Sequence, residues 1–220
     1  TLHNVGEVER LEIKVGDKVK ITRRGDVIPK IIENLGQASQ VDLQGRFHAD
    51  GTQFSGELTF QDIAIPNECP ACSRDLVMEG AFLRCIALEC DARTARALTY
   101  WCRTLEMDGI GEKLIEALLD NGLVESIADL YRLNHSQISN LERMGDKSAY
   151  NVLDELARTR TLNLAKFLHA LGIERIGPEV ATTISQYFTS LGKLLLWVDE
   201  GEIEELTTID GIGEKVATIF

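Results

Sequence analysis

Two stretches decide how this 220-residue chain is read: Asp108-Gly109-Ile110-Gly111-Glu112-Lys113 and, far downstream, Asp210-Gly211-Ile212-Gly213-Glu214-Lys215. Between them lie Arg143-Met144-Gly145-Asp146-Lys147 and Arg175-Ile176-Gly177-Pro178-Glu179. The second glycine of each unit falls at 111, 145, 177 and 213, giving spacings of 34, 32 and 36 residues. Helical periodicity fills the intervals: Leu114, Ile115, Leu118 and Leu119 recur at i, i+1, i+4 and i+5, and Val152, Leu153 and Leu156 do much the same. A period in the thirties with two helical stretches per unit is the mark of repeated helix pairs. Pro178 stands where a helix can begin. The fourth copy reaches Phe220 before a second helix is complete, so the expectation is a repeat cut short.

The pattern apolar-x-Gly-apolar-Gly before a helix has a physical meaning. Glycine reaches positive φ and permits a tight turn between two helices. It also leaves no side chain over the N–H groups that open the second helix, which sit at the positive end of the helix dipole and suit a phosphate oxygen. Lys113, Lys147 and Lys215 each follow the second glycine by two residues and add a point charge. This is the helix-hairpin-helix motif of sequence-independent DNA binding, with Gly109, Gly111, Gly145, Gly177, Gly211 and Gly213 as its candidate backbone contacts. The competing reading is a set of hairpins that only pack helices, as in SAM-like interaction modules; four copies favour DNA. The middle copies carry Arg143 and Arg175 in place of the first glycine, and either bind less well or use the arginine directly.

Four of the five cysteines read Cys69-x2-Cys72-x12-Cys85-x4-Cys90. Two close pairs separated by a short loop place four thiolates where tetrahedral zinc needs them. Four thiolates leave no open position, so the site is expected to be structural. Two disulfides are the alternative, and no secretory signal supports an oxidising compartment. Cys102 lies outside the spacing and reads as an ordinary thiol. His3, His48, His135 and His169 form no pair at ligand spacing.

Upstream of about Pro66 the texture changes. Val19 and Ile21 alternate with Lys18, Lys20 and Thr22, the period of a half-buried strand, between turns at Gly16-Asp17 and Gly25-Asp26. Phe54, Leu58, Phe60, Ile63 and Ile65 are candidate inward residues of another, and 37–52 reads as a polar loop holding a weaker strand. Several short strands in so few residues predict a small β-barrel or sandwich. Its cationic strand suits an oligonucleotide-binding (OB) fold, although alternating lysines also protect an edge strand from aggregation.

The fold class is therefore multidomain α and β: an OB-like barrel over 1–66, a four-cysteine zinc module and linker over 67–103, and helix-hairpin-helix repeats over 104–220. The net charge of −12 speaks against nucleic acid only as a total. Residues 1–66 carry −2, 67–104 carry 0, and 105–220 carry −10. From Arg10 to Lys30 there are seven bases against three acids. In the acidic repeats, backbone N–H groups do the phosphate binding, so the units need not be basic. The longest apolar run, Leu194–Val198, is five residues, too short to cross a membrane. A first residue Thr1 rather than Met predicts a processed product or an excised piece.

The order barrel, zinc module, four hairpins resembles the NAD-dependent, bacterial-type DNA ligases over essentially the whole chain. Thr1-Leu2-His3-Asn4 resembles that family's entry into its OB domain, and Gly16-Asp17 with Arg23-Arg24-Gly25-Asp26-Val27-Ile28-Pro29 its barrel signature. Cys69-Pro70-x-Cys72, residues 108–115, Ala128-Asp129-Leu130-Tyr131 and Leu171-Gly172-Ile173 follow in the family's order. Arg24 departs from the small residue common there, and Leu98–Met107 fits loosely. No Lys-x-Asp-Gly nucleophile motif occurs, because Met107-Asp108-Gly109 follows Glu106. The family's BRCT domain is also missing.

The resemblance implies a parent enzyme that attaches AMP from NAD to a lysine, moves it to the 5′-phosphate of a nick and seals the strand with Mg. It implies a bacterial cytoplasmic, nucleoid-associated location. This chain would position nicked double-stranded DNA for the adenylation domain of the same polypeptide, without sealing it alone. Arg23 and Asp26 would lie against the duplex, the hairpins would grip minor-groove phosphates, and zinc would fix the junction between them. Two other readings stay open: a standalone zinc and hairpin DNA-repair module, and a zinc-stabilised protein-interaction scaffold.

Overall fold

The computed structural model describes residues 1–23, 28–47, 50–53, 56–87, 89–201 and 203–219. Its contacts divide the chain into two compact units, Thr1–Ala87 and Leu88–Phe220, a division that falls inside the cysteine segment.

The first unit opens with a helix, α1 (Val5–Leu11), where the sequence predicts only strands. Asn4 caps it by accepting the N–H of Glu7 at 3.0 Å, and Val5, Val8 and Leu11 line one face. The helix stops at Glu12, which turns left-handed at φ 46°. Then come β1 (Lys14–Val15), β2 (Asp17–Thr22), β3 (Lys30–Gln37), a one-turn helix α2 (Gln40–Leu43) and β4 (Gln61–Asp62). β1 pairs antiparallel with β4, and β2 with β3. Gly16 sits between β1 and β2 at φ +93°, where a Cβ would lie 2.5 Å from the carbonyl of Thr59, so a side chain is excluded twice over.

The expected alternation in β2 holds only as far as Lys20. Val19 is half-buried, but a register shift between Lys20 and Ile21 reverses the faces. Ile21 consequently stands 62% exposed and Thr22 takes the covered side. Among the described residues of 54–65 only Gln61 and Asp62 pair as a strand; Leu58 and Ile63 are half-buried, Phe60 and Ile65 exposed, and Phe54 lies outside the described residues. Asn34 stitches the unit together: its amide donates to the carbonyls of Leu11 and Glu12 and to Asp17 Oδ2, all at 3.0–3.2 Å. A hairpin of β5 (Leu76–Glu79) and β6 (Phe82–Cys85) completes it.

The second unit is helical. In order it contains α3 (Asp91–Thr104), α4 (Glu112–Asp120), α5 (Ile127–Leu130), α6 (His135–Ser139), α7 (Asp146–Arg158), α8 (Leu164–Ala170), α9 (Pro178–Phe188), α10 (Leu191–Glu200), α11 (Ile203–Thr207) and α12 (Glu214–Ala217). Four hairpins follow: α3–α4, α6–α7, α8–α9 and α11–α12. The first two share one core, including Leu98, Ile115, Leu118, Ile138, Val152 and Leu156. The last two share another, including Leu168, Ile184, Phe188, Leu206 and Ala217. Phe167 packs against both cores, with its ring edge-on to Trp101 at 5.9 Å. Gly172, at φ +66°, lies so near Tyr100 that a Cβ would come within 2.9 Å of the ring. Trp101 Nε1 donates to the hydroxyl of Tyr131 at 3.0 Å, and that hydroxyl meets Thr159 Oγ1 at 3.1 Å, which satisfies the buried Thr159. Among the described residues no helix is long and apolar enough to cross a membrane.

Candidate nucleic-acid interface and metal centre

Each hairpin turns in the same way. A residue at positive φ is followed by a covered apolar side chain and then by a glycine that caps the next helix. The positive-φ residues are Gly109 (75°), Arg143 (64°), Arg175 (63°) and Gly211 (86°). The covered residues are Ile110, Met144, Ile176 and Ile212; three are buried and Met144 is half-buried. The caps are Gly111, Gly145, Gly177 and Gly213, whose φ of −100°, −139°, −78° and −88° are extended conformations open to any residue.

The cap glycines answer no need of the chain itself. A Cβ on any of the four meets no atom within 4 Å. Helix caps favour Ser, Thr, Asn and Asp, which satisfy an N–H group that glycine leaves open. Here no side chain caps α4, α7, α9 or α12. The N–H groups of Gly111, Glu112 and Lys113 therefore have no acceptor among the described residues, nor do those of Gly145, Asp146 and Lys147. Such a surface is built for close approach of an anion to the backbone.

The first two hairpins come together. Gly109, Gly111, Glu112, Lys113 and Leu114 line one wall of an open cleft of about 650 Å³, and Glu142, Arg143 and Met144 line the facing wall. Lys113, Lys147 and Lys215 are all exposed at the second position of their helices; in the third hairpin Glu179 stands there, after Pro178, which has no N–H. Arg143 and Arg175 hold a left-handed backbone that costs a non-glycine residue about 1–2 kcal/mol.

Two contributors escaped the sequence reading. Arg158, in the last turn of α7, donates to the carbonyls of Leu105 and Glu106 at 3.2 and 3.0 Å and to the carboxylate of Glu155. Glu155 in turn accepts the N–H of Asp108 at 3.3 Å. This pair fastens the turn of hairpin one from the helix of hairpin two. The i, i+3 spacing of Glu155 and Arg158 is visible in the sequence, but the loop they hold lies about fifty residues earlier.

In the first unit, Arg23 is exposed immediately after β2, and Asp26 lies outside the described residues. The basic run is largely paired: Arg10 and Lys30 with Glu7, Lys14 with Asp62, Lys18 with Asp42 and Lys20 with Glu33, at 2.6–3.5 Å. Lys18 and the N–H and hydroxyl of Ser39 hold the Asp42 carboxyl far below the usual range. Exposed pairs of this kind are individually worth little, and a polyanion can compete for their lysines.

The cysteines converge as well. The Sγ atoms of Cys69, Cys72, Cys85 and Cys90 all lie within 4.8 Å of one another, with Cys72 and Cys85 at 3.6 Å. A disulfide needs about 2.05 Å, and all five cysteines are free thiols. Tetrahedral zinc at about 2.3 Å from each sulfur sets neighbouring sulfurs about 3.8 Å apart, so the donor set fits that metal. The β5–β6 hairpin returns Cys85 to Cys72, and Cys90 caps α3. N–H groups of Ala71 and then Cys72 bring the Cys69 thiol down to about 7, favouring the thiolate that a metal requires. Cys102 is buried, and burial pushes its thiol up to about 12, which makes it inert.

Residues 1–42 match the NAD-dependent DNA ligase OB-fold domain, 104–158 the SAM-like helix-hairpin-helix tandem, and 166–220 the helix-hairpin-helix motif. The first helical match covers the first core from the end of α3 to the end of α7, and the second spans the hairpins of the second core. Proteins named DNA ligase are similar along the whole chain: 35% identical in Syntrophobacter fumaroxidans over 99% of this chain, 37% in Helicobacter hepaticus over 99%, and 36% in Nitrosococcus oceani over 100%. The chain spans about 30% of the length of these curated relatives. The OB match, the tandem hairpins behind it and the similarity along the whole chain to proteins named DNA ligase make this chain similar to part of an NAD-dependent DNA ligase.

Proposed function

We propose that this chain is the DNA-holding portion of an NAD-dependent DNA ligase that seals nicks in duplex DNA during replication and repair. The observation that carries the reading is the set of cap glycines, which neither the backbone conformation nor the packing of the chain requires. A phosphate drawn against Gly111, Gly145, Gly177 or Gly213 meets N–H donors at a helix N-terminus and no side chain in the way. Lys113, Lys147 and Lys215 add charge beside it, while Gly109 and Gly211 shape the turns. Paired hairpins give two contact points at each core, so a duplex backbone is held in register without base readout.

Residues 1–66, with Arg23 and Asp26, are proposed to lie against the duplex near the nick. The segment 67–103 is proposed to hold zinc through Cys69, Cys72, Cys85 and Cys90; the metal supplies folding energy rather than chemistry, since four thiolates saturate it. Residues 104–220 grip the backbone. The parent enzyme would use NAD as AMP donor and Mg in strand joining, through an adenylation domain in the same polypeptide, in the bacterial cytoplasm at the nucleoid. Phosphoryl and nucleotidyl transfer depends on positioning and charge stabilisation, and this segment contributes the positioning. With no Lys-x-Asp-Gly in its sequence, the chain alone is expected neither to take AMP from NAD nor to seal.

The test is binding of the purified chain to a nicked duplex across a salt series. A steep fall of affinity with salt supports phosphate contacts, and self-labelling from NAD would overturn the assigned role. No binding at low salt would favour a zinc-stabilised scaffold.

A further inference from the structure

Helix α10 (Leu191–Glu200) is apolar on more than the face it buries. Leu194 is buried and Trp197 packs beside it in the second core. Leu191, Leu195 and Val198, spaced i, i+4, i+7, form an adjoining stripe that stays 40%, 55% and 43% exposed. Ile203, 44% exposed at the start of α11, follows it in the chain. The platform is firmly held: Glu205 accepts the indole N–H of Trp197 at 2.7 Å and the hydroxyl of Tyr187 at 2.8 Å, tying α9, α10 and α11 together.

The charge that follows this stripe in the chain is of one sign. Asp199-Glu200-Gly201-Glu202-Ile203-Glu204-Glu205 holds five acids in seven residues, and between Lys193 and Lys215 there are seven acids and no base. Asp199 and Glu200 close a helix whose last turn carries no base, so they sit at the negative end of its dipole, which prefers cations. Among the described residues neither Asp199, Glu200 nor Glu204 has an ion-pair partner.

From these two features we infer that α10 and the acidic turn after it dock a basic amphipathic helix of a partner protein. Its apolar face would cover Leu191, Leu195 and Val198, and its lysines or arginines would meet Asp199, Glu200 and Glu204. A nucleic acid is repelled by the same acids. The inference does not rest on the DNA-holding role, since it uses none of the hairpin turns.

The test uses the 220-residue chain and a labelled five-turn Leu/Lys peptide with leucines at i, i+3, i+4 and i+7, beside a Leu/Glu peptide of the same pattern. The Leu/Lys peptide is expected to bind and the Leu/Glu peptide to fail. Leu195→Asp should weaken binding by roughly tenfold or more, with an unchanged thermal melt, because that side chain is already in solvent. Asp199→Lys with Glu200→Lys should weaken it too and admit the Leu/Glu peptide. Binding that ignores Leu195→Asp would be general attraction to an acidic protein and would overturn the inference. So would failure of both peptides, or sedimentation as a dimer that Leu195→Asp dissolves.

Discussion

The guanidinium of Arg158 rests on the carboxylate of Glu155, and together they hold the turn of the preceding hairpin by the carbonyls of Leu105 and Glu106 and the N–H of Asp108. Hairpin one is thus aimed by a side-chain pair that belongs to hairpin two. Arg158 lowers the pKa of Glu155 by hydrogen bond and charge. A carboxyl depressed in the folded state contributes stability above its unfolded value, and that contribution is lost as pH falls through the folded value. Wild type is therefore expected to melt above Glu155→Gln at neutral pH, with the gap closing as the solution is acidified below the ordinary glutamate value of 4.5. A gap that persists at low pH would mean the carboxylate charge is not what fastens the loop.

The two glycines of hairpin one should respond differently to substitution. Gly111→Val meets open space in an extended conformation, so the fold should survive while affinity for nicked duplex falls by roughly tenfold. Gly109 stands at φ +75°, so Gly109→Ala should cost about 1 kcal/mol of stability through the left-handed backbone. Chemical denaturation beside binding separates the two effects. Unchanged affinity in Gly111→Val would leave the hairpins as packing elements.

Arg143 occupies the place that Gly109 has in hairpin one, at φ 64°. Arg143→Gly is expected to raise unfolding stability by about 1 kcal/mol and yet weaken DNA binding. Opposite signs in one variant would identify an arginine kept for contact rather than for folding. Lys113→Met should lower the slope of log affinity against log salt by about 0.9, the share of one phosphate contact.

One zinc per chain is expected by elemental analysis, and Cys72→Ser should remove it and loosen the β5–β6 hairpin. Protons and zinc compete for the same thiolates, so the apparent affinity for zinc, read by competition with a chelator, should fall as pH is lowered. Cys102→Ala should leave metal content unchanged.

The sequence by itself determined much of this molecule. Glycines at fixed spacing, each before an amphipathic helix, specified four hairpins because local backbone chemistry dictates those turns. The cysteine spacing specified a cluster because a knuckle and a short hairpin leave four thiols little choice. Other features needed tertiary structure. The faces of β2 exchange at the Lys20–Ile21 register shift, which pairing with β3 decides. Helix α1 falls in a part expected to be a small β-domain, with no element assigned to residues 5–11, although Asn4 and the spacing of Val5, Val8 and Leu11 carry a helical signal. The union of hairpins one and two into one cleft, and its fastening by Glu155 and Arg158, depend on groups far apart in the chain; their proximity is set by which apolar faces bury against each other, and a local pattern does not encode that.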